Sequence, residues 1–415
     1  MRSAPVAVER LAARYDAVRR ATERIAEPLS AEDCAAQSMP DASPIRWHLA
    51  HTSWFFETFV LARADAGYRR FDTRFDFLFN SYYNAIGERV ARPMRGKMTR
   101  PDLGEVLEYR AHVDRAVARL LEREAPPALE LGLNHEQQHQ ELMLTDLKHL
   151  LALNPLRPCY RERALTATVP AAPLRFLRFE GGLHAIGHEG DGFAFDNEGP
   201  RHQVFTRPFE LAARPVTNGE FLEFVEAGGY QDPQWWLSDG WDWVVAESIR
   251  APEYWSREER GRKVFTLAGE LDLAPSEPVA HVGFYEADAF ARWAGARLPR
   301  EDEWELAAAG LPVEGHFAES GELHPRPTID RDASAPAALF GDVWEWTASP
   351  YVAYPGFRPA SGALGEYNGK FMSNRMVLRG GSCASPGSHL RATYRNFFVP
   401  TARWQFSGFR LARDA

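Results

Sequence analysis

Residues 134–141 read Asn134-His135-Glu136-Gln137-Gln138-His139-Gln140-Glu141. In a helix, residues four positions apart lie on one face, so the imidazoles of His135 and His139 point to the same place. A third imidazole, from His51 in the upstream segment Trp47-His48-Leu49-Ala50-His51, would complete a three-nitrogen site. Such a site keeps coordination positions open for a substrate, which is typical of catalytic metals. The stretch therefore predicts a helix that contributes His135 and His139 to a metal site, which a histidine from another helix would complete.

The same stretch also fits the His-Glu-x-x-His pattern of zinc proteases, in which Glu136 would be the general base. That interpretation needs a third ligand downstream. His149 lies ten residues beyond His139, and no Gly-x-x-His follows at the spacing that one protease class requires. The pattern therefore favours a third ligand from another helix.

Length and composition indicate a water-soluble chain of two domains. With 415 residues, of which 45% are hydrophobic and 25% charged, the chain can bury two cores. The net charge of −9 gives no reason to expect nucleic acid or an anionic membrane as partner. The N-terminal region lacks the apolar core of a signal peptide, and no apolar run is long enough to span a membrane. Three cysteines, Cys34, Cys159 and Cys383, show no pairing pattern, so we expect a cytoplasmic protein.

The first part of the chain has the hydrophobic periodicity of amphipathic helices. Apolar residues recur at steps of three and four, and four helices are predicted, at residues 8–25, 48–61, 104–124 and 133–153. The connection over residues 69–101 is long for a bundle, and loops of that length are usually functional. Residues 1–156 are therefore predicted to form a four-helix bundle that carries the metal site, as bundle cores often do.

The second part of the chain differs in amino-acid composition and in hydrophobic pattern. Gly, Pro and Trp are frequent, and only residues 219–227, 286–294 and 300–309 have a helical pattern. Residues 157–172 are predicted to be a linker, and residues 173–415 an irregular α+β domain. The predicted fold class is thus α followed by α+β.

Four motifs in the second part occur in the order found in the formylglycine-generating-enzyme (sulfatase-modifying-factor) family. They are Pro-Val-Thr-Asn-Gly-Glu-Phe at 215–221, Ala-Arg-Leu-Pro-Arg-Glu-Asp-Glu-Trp-Glu at 296–305, Gly-Asp-Val-Trp-Glu-Trp at 341–346 and Arg-Gly-Gly-Ser at 379–382. Residues 173–415 therefore resemble this C-type-lectin-like fold. Formylglycine chemistry depends on a cysteine pair late in the domain, whereas this chain has only Cys383 there. The resemblance implies a scaffold without that activity.

The first part resembles the DinB-type bundles, whose members often hold a metal with three histidines. A DinB-like bundle followed by a lectin-like domain is the architecture of the ergothioneine-biosynthesis sulfoxide synthases, and the resemblance covers nearly the whole chain. Family members supply two iron ligands from a motif close to His-Glu-Gln-Gln-His-Gln-Glu-Leu and a third from Leu-Ala-His. The resemblance thus implies that His135, His139 and His51 bind iron(II), whereas His48 is expected to pack or to support a ligand from behind.

The segment Asn80-Ser81-Tyr82-Tyr83-Asn84-Ala85 and the arginine loop Arg92-Pro93-Met94-Arg95-Gly96 resemble the cysteine-using branch of this family. The resemblance implies that Tyr82 or Tyr83 reaches the iron centre, where a phenol can donate a proton or a hydrogen atom. Arg92 and Arg95 would bind a substrate carboxylate through charge-assisted hydrogen bonds.

Residues 394–398 and 404–410 also match this branch, and the implied role is to hold hercynine, the trimethylated betaine of histidine. Asn396 would bind the hercynine carboxylate, and Gln138 would lie beside its ammonium group. Phe397 and Phe398 would offer aromatic faces, which attract quaternary ammonium groups.

The resemblance therefore implies an iron(II)- and O2-dependent enzyme that joins a thiol donor, cysteine in the first instance, to the imidazole of hercynine with oxidation of the sulfur. Two departures from the family leave the donor open: Asn134 stands where histidine is frequent, and Gly96-Lys97-Met98-Thr99 stands where Leu-Leu-Ser is usual. Selenoneine synthase, a close relative that uses a selenosugar, is the alternative. A zinc- or nickel-dependent thiol transferase and a binding module with a vestigial metal site are the alternatives from other classes.

Overall fold

The computed structural model describes residues 4–162, 169–256, 262–329 and 334–415. The chain divides into two compact units, Met1–Pro155 with Ala360–Tyr367, and Leu156–Pro359 with Asn368–Ala415. The first is helical and the second is α+β, as the predicted fold class requires. Residues 1–3 of the predicted first domain and residues 163–168 of the predicted linker lie outside the described residues.

The helical unit is built on four long helices. Its helices are α1 (Ala4–Ala26), α2 (Ala31–Ala35), α3 (Ile45–Phe56), α4 (Ala62–Ala64), α5 (Phe75–Phe79), α6 (Leu103–Leu121) and α7 (Pro127–Leu153). Helix α3 packs against α6 and α7, and α1 packs against α7. Helix α7 begins earlier than predicted, because Pro127 occupies its first turn, where a proline has no hydrogen bond to lose. Among the described helices, none is long and apolar enough to cross a membrane.

A π-helical turn, Glu57–Leu61, extends α3 and anchors the long connection that follows. The buried carboxylate of Glu57 accepts hydrogen bonds from the hydroxyls of Tyr68 and Tyr109, each at 2.8 Å. It also accepts the backbone N–H of Phe71 at 3.1 Å. The connection therefore returns to the bundle at a fixed point before it forms α5 and a 3-10 turn, Arg92–Lys97.

The α+β unit contains four helices and eleven short strands among its described residues. The helices are α8 (Asn218–Glu226), α9 (Ser238–Ala246), α10 (Phe284–Trp293) and α11 (Glu301–Ala308). The strands are β1 (Phe176–Phe179), β2 (Gly182–Ile186), β3 (His202–Thr206), β4 (Phe209–Ala212), β5 (Lys263–Thr266), β6 (Gly269–Asp272), β7 (Trp344–Pro350), β8 (Met376–Arg379), β9 (Asn396–Phe398), β10 (Ser407–Gly408) and β11 (Ala412–Asp414). They form sheets ordered β1-β4-β11 and β10-β7-β8-β9 and two hairpins, β2-β3 and β5-β6.

The motifs in this unit have structural roles. Thr217 caps α8 by accepting the backbone N–H of Glu220, and the Glu220 carboxylate accepts the backbone N–H of Thr217, which forms a capping box. The buried Glu345 carboxylate pairs with Arg410 at 2.6 Å and accepts the indole N–H of Trp304 at 2.7 Å. These contacts explain why such motifs indicate the fold without indicating a reaction.

Helix α9 was absent from the helices predicted for the second part, and that omission was wrong. Its first turn contains Gly240, which weakens the helical pattern of the sequence. A Cβ at Gly240 would lie 2.8 Å from Cγ of Tyr285, so the glycine allows α9 to pack closely there. Tertiary packing therefore stabilises a helix that local propensity does not predict.

We predict that Gly132→Ala destabilises the protein, although glycine to alanine favours an ordinary helix by about 1 kcal/mol. An added Cβ in α7 would lie 2.5 Å from Cε1 of the buried Phe56 ring in α3. Overpacking of this kind costs about 1–3 kcal/mol. Chemical denaturation measures the change. Gly104→Ala, exposed in the first turn of α6, is the control and should be neutral or stabilising by up to about 1 kcal/mol. Equal stabilities of the two variants would contradict the close packing of α3 on α7.

Candidate metal centre

Three histidines converge inside the helical unit. Helix α3 supplies His51, and α7 supplies His135 and His139 one helical turn apart. One ring nitrogen from each lies within 4.8 Å of the others, and all three side chains are buried. Nε2 of His51 and Nε2 of His135 are 3.2 Å apart. The structure thus brings together the three residues that the sequence singled out, and metal binding by them stays a prediction.

The electrostatic surroundings keep these imidazoles neutral. Burial lowers the pKa of His51 and of His139 well below the usual value, and it lowers that of His135 to about 3. Neutral imidazole is the form that binds a metal ion, because one ring nitrogen then carries a lone pair. At neutral pH the cluster therefore presents three uncharged nitrogen donors.

The hydrogen bonds of His51 show that its lone pair faces the cluster. Nδ1 of His51 lies 2.6 Å from the backbone carbonyl of Phe79. A carbonyl only accepts, so Nδ1 carries the proton and Nε2, the atom facing His135, is bare. Nδ1 of His135 is buried and has no hydrogen-bond partner among the described residues. A buried, bare ring nitrogen directed at two further neutral imidazoles is an arrangement that a metal cation can stabilise, so the residues fit a metal.

Glu136 lies in the bundle core, and its environment argues against the protease interpretation. Its two carboxylate oxygens bind Arg19 at 2.9 Å and Arg110 at 3.0 Å. Burial raises its pKa, but the two guanidinium groups outweigh burial and lower the pKa to about 2. A carboxylate held by two arginines is a poor general base. The His-Glu-x-x-His pattern here combines two candidate ligands with a structural ion pair.

Tyr82 and Tyr83 follow α5, and their rings are in contact at a tilt, with centroids 4.6 Å apart. The Asn80 side chain shapes the turn, because its Oδ1 accepts the Tyr83 N–H and its Nδ2 donates to the Tyr83 carbonyl, both at 3.0 Å. Tyr83 is fully buried, which raises its pKa, and its hydroxyl donates to that of Tyr82 at 3.5 Å. Tyr82 is partly exposed. The buried Tyr83 thus holds the more accessible Tyr82 through a hydrogen bond between their hydroxyls.

A third phenol, which the sequence did not suggest, comes from the segment Ala360–Tyr367 of the helical unit. The Tyr367 ring lies 5.8 Å from that of His135, centroid to centroid, and its hydroxyl donates to the Gln138 side chain. The preceding Glu366 carboxylate accepts the backbone N–H groups of Asn84 and Ala85 at 2.9 and 2.8 Å. This segment therefore fastens the loop that follows the tyrosine pair.

The two arginines predicted to bind a carboxylate differ in their surroundings. Arg92 is exposed, and its Nη1 donates to the carbonyl of Asp41 at 3.4 Å. Arg95 is buried over the Trp47 ring, and its Nη1 and Nη2 donate to the hydroxyls of Ser43 and Ser81. Nε of Arg95 has no partner among the described residues. Burial also lowers the Arg95 pKa well below its usual value, with Arg92 adding to the effect.

Arg95 lines a small cavity in the helical unit, with about 10 Å³ of free volume, which is about enough for one water molecule. Its lining includes three cations and no carboxylate: Arg46, Arg95 and Arg100 with Trp47, Phe79 and Met98. The cavity adjoins the three histidines, because Trp47, which lines it, stacks on the His51 ring with ring centroids 4.5 Å apart. The cavity therefore places three positively charged side chains close to the histidines.

The residues assigned to hercynine at the C-terminal end lie on β9 of the α+β unit. Phe397 stacks on Tyr351 with ring centroids 4.0 Å apart, and Phe398 contacts Trp404 edge to face. Oδ1 of Asn396 accepts the N–H of Phe397 at 2.9 Å. All three are partly exposed. Their assignment to a substrate stays a prediction, and so does that of Gln138.

The fold and the site define a class: a helical bundle with a candidate three-histidine metal centre, followed by a sulfatase-modifying-factor-type domain. Residues 14–153 match the model of the DinB superfamily. Residues 164–336 and 337–415 match that of the Sulfatase-modifying factor enzyme 1-like domain. The two-part architecture predicted from the motifs is confirmed.

Curated relatives identify the family. The chain is 33% identical to hercynine oxygenase of Mycobacterium tuberculosis, over 98% of this chain and 99% of the relative. It is 32% identical to hercynine oxygenase of Mycolicibacterium smegmatis, over 99% and 100%. Its second part is 30% identical to the formylglycine-generating enzyme of Streptomyces coelicolor, over 58% of this chain and 89% of that protein. The chain belongs to the hercynine oxygenase family and is an enzyme of the oxidoreductase type.

We predict that Glu136→Gln lowers the free energy of unfolding by about 3–5 kcal/mol at pH 7, because it leaves buried Arg19 and Arg110 less compensated. The Glu136 pKa is about 2 in the folded protein against an ordinary 4.5, so its stabilisation is present above the ordinary value. The deficit of the variant should therefore shrink as the pH falls from 4.5 towards 2.

Denaturation across this pH range measures the effect, with Glu130→Gln on the same helix as control. Glu130 pairs with Arg14 near the surface, where a salt bridge contributes less than about 1 kcal/mol. If the two variants lost equal stability, or if the deficit did not depend on pH, Glu136 would not be the buried ion-pair partner described here.

Proposed function

We propose that the chain is an iron(II)- and dioxygen-dependent enzyme that forms a carbon–sulfur bond between a thiol donor and the imidazole of hercynine and oxidises the sulfur to a sulfoxide. The observation that carries this proposal is the buried cluster of three neutral imidazoles from His51, His135 and His139. Full-length similarity to hercynine oxygenases supports hercynine as the substrate.

The three imidazole ligands can bind a redox-active metal, although they suit several different metal ions. Three uncharged imidazoles bind iron, zinc, copper or nickel, so geometry alone leaves the metal open. Relatives named oxygenases favour iron, since dioxygen chemistry needs a metal that exchanges electrons. Bound iron(II) would supply that electron exchange, and the residues of the chain would bind the substrates and transfer protons.

The reaction balances without any further reductant. The C–H bond between the two imidazole nitrogens of hercynine and the S–H bond of the donor are broken, and one C–S bond forms. One oxygen atom of O2 stays on sulfur as the sulfoxide, and the other leaves as water with the two hydrogens. Dioxygen gains four electrons, which the carbon–sulfur coupling and the sulfur oxidation supply.

Tyr82 and Tyr83 are suited to provide the proton that water formation needs. The Tyr83 hydroxyl donates to that of Tyr82, so this hydrogen bond would stabilise the Tyr82 oxygen when Tyr82 releases its own proton. Burial raises the pKa of Tyr83, which keeps this second phenol protonated. We therefore infer that Tyr82 is the immediate donor and Tyr83 its support.

Arg95 favours a donor that carries a carboxylate. Its buried guanidinium is bound by two serine hydroxyls and faces a cavity lined by two further arginines and no acid. An anionic substrate would compensate this charge, whereas a neutral selenosugar would not. The charge therefore favours cysteine or a similar amino-acid thiol, and the selenosugar of a selenoneine synthase is the alternative.

Oxygen consumption by the purified, iron-loaded protein tests the proposal. We expect hercynine and cysteine together to drive uptake and to yield a product whose mass is that of the coupled sulfoxide. His139→Ala should abolish uptake. Coupling only with the selenosugar would show that the donor is the selenosugar and not cysteine. Anaerobic turnover of a thiol by a zinc-loaded protein would indicate a thiol transferase. Hercynine binding without turnover would indicate a binding module.

We further predict that Arg95→Gln raises the KM for cysteine by about 10- to 100-fold, since a hydrogen bond to a charged group contributes about 1.5–3 kcal/mol. The KM for hercynine should change little. Steady-state kinetics measures both constants, and exposed Arg92→Gln, the matched control, should have a smaller effect. An unchanged KM for cysteine in Arg95→Gln would contradict the assignment of the donor carboxylate to Arg95.

A further inference from the structure

His48 and Asp146 form a hydrogen-bonded chain behind His139. Nδ1 of His139 lies 2.8 Å from Nδ1 of His48, and Nε2 of His48 lies 3.1 Å from Oδ2 of Asp146. All three side chains are buried. The residues belong to the same two helices as the cluster, with His48 one turn before His51 in α3 and Asp146 two turns after His139 in α7.

The direction of each hydrogen bond follows from Asp146, which ends the hydrogen-bonded chain and acts as an acceptor. Oδ2 of Asp146 accepts the backbone N–H of Ser43 at 2.8 Å, so this oxygen acts as an acceptor. His48 must then donate from Nε2, which leaves Nδ1 of its neutral ring as an acceptor. His139 consequently donates from Nδ1, and its Nε2 is left with the lone pair. A carboxylate thus sets the tautomer of a candidate ligand through an intervening imidazole.

The three candidate ligands are held in three different ways. A backbone carbonyl fixes His51, the His48–Asp146 chain fixes His139, and Nδ1 of His135 has no hydrogen-bond partner among the described residues. The partner of His51 belongs to the main chain and survives any substitution. The support of His139 consists of side chains, so it can be removed and restored by mutation.

We propose that His48 and Asp146 are positioning residues, which orient His139 and keep its Nε2 bare for the metal. This inference rests on the proposed metal-dependent function. Partners of ligating histidines fix the ring orientation and the tautomer, and their loss typically lowers metal affinity by about 10- to 100-fold. Both residues act through His139, so their effect is on how tightly and in which geometry the metal binds.

Two substitutions of His48 in the full chain separate positioning from packing. His48→Asn keeps an acceptor oxygen close to the place of Nδ1, whereas His48→Leu has similar bulk and no acceptor. His112→Leu is the control, because His112 bonds the Arg69 carbonyl away from this chain. The measurements are the Kd for iron(II) and cobalt(II), by chelator competition, and the visible spectrum of the cobalt form.

We expect His48→Leu to weaken metal binding by about 10- to 100-fold and to alter the cobalt spectrum, while His48→Asn keeps most of the affinity. Wild-type affinity and spectrum in His48→Leu would overturn the inference. It would also be overturned if His48→Asn were as weak as His48→Leu, since the loss would then reflect packing.

A measurement on the wild type does not depend on how the variants fold. Long-range proton–nitrogen NMR of the metal-free, histidine-labelled chain reads each tautomer, and a His139→Asn sample identifies the signal of His139. We expect the proton of His139 on Nδ1; a proton on Nε2 would overturn the inference. If the wild type bound neither metal, the proposed function would fail, whereas tight binding by wild type and His48→Leu alike would remove only the role of His48.

Discussion

The approach of α3 to α7 is the constraint on which the site depends. His51 is on one helix and both other histidines are on the other, so the distance between the helix axes sets whether three ring nitrogens meet. Gly132 in α7 leaves room for the Phe56 ring of α3, and a Cβ there would collide with it. Beneath the cluster, the Glu136 carboxylate joins Arg19 of α1 to Arg110 of α6. The bundle core is thus organised around contacts that bring the imidazoles together.

The side chains around the three histidines carry little negative charge that is free to compensate a cation. The candidate ligands are three neutral nitrogens, so a divalent ion would keep its full charge, and Arg95 adds a buried cation nearby. The acids of this region are occupied: Glu136 binds two arginines, and Asp146 accepts from His48 and from the Ser43 backbone. Both of these carboxylates already have hydrogen-bond partners, so neither compensates Arg95 directly. This is why the proposed donor is one that brings a thiolate or a carboxylate.

The sequence predicted the parts of the site that follow from local periodicity. The four-residue spacing in α7 placed His135 and His139 on one face, and apolar steps of three and four located the four long helices. His51 needed the family resemblance, because nothing in helical periodicity distinguishes it from His48. The roles of these two histidines differ only through their contacts, with Phe79 in one case and with His139 and Asp146 in the other.

What the sequence did not predict depends on long-range packing. Tyr367 comes from Ala360–Tyr367, more than two hundred residues after α7, and no local pattern connects the two. Arg92 and Arg95 look equivalent in the sequence, yet one is exposed and the other is buried over Trp47. Helix α9 forms because Gly240 lets it pack against Tyr285, although glycine weakens the helical signal. Each of these features requires the tertiary structure.

The most direct test of the central claim is a crystal structure of the anaerobically iron-loaded protein with anomalous data collected on both sides of the iron absorption edge. The account predicts one anomalous peak about 2 Å from a ring nitrogen of each of His51, His135 and His139, the usual length of a bond between a metal and imidazole nitrogen. A peak elsewhere in the chain, or a peak bound by only two of these histidines, would contradict it.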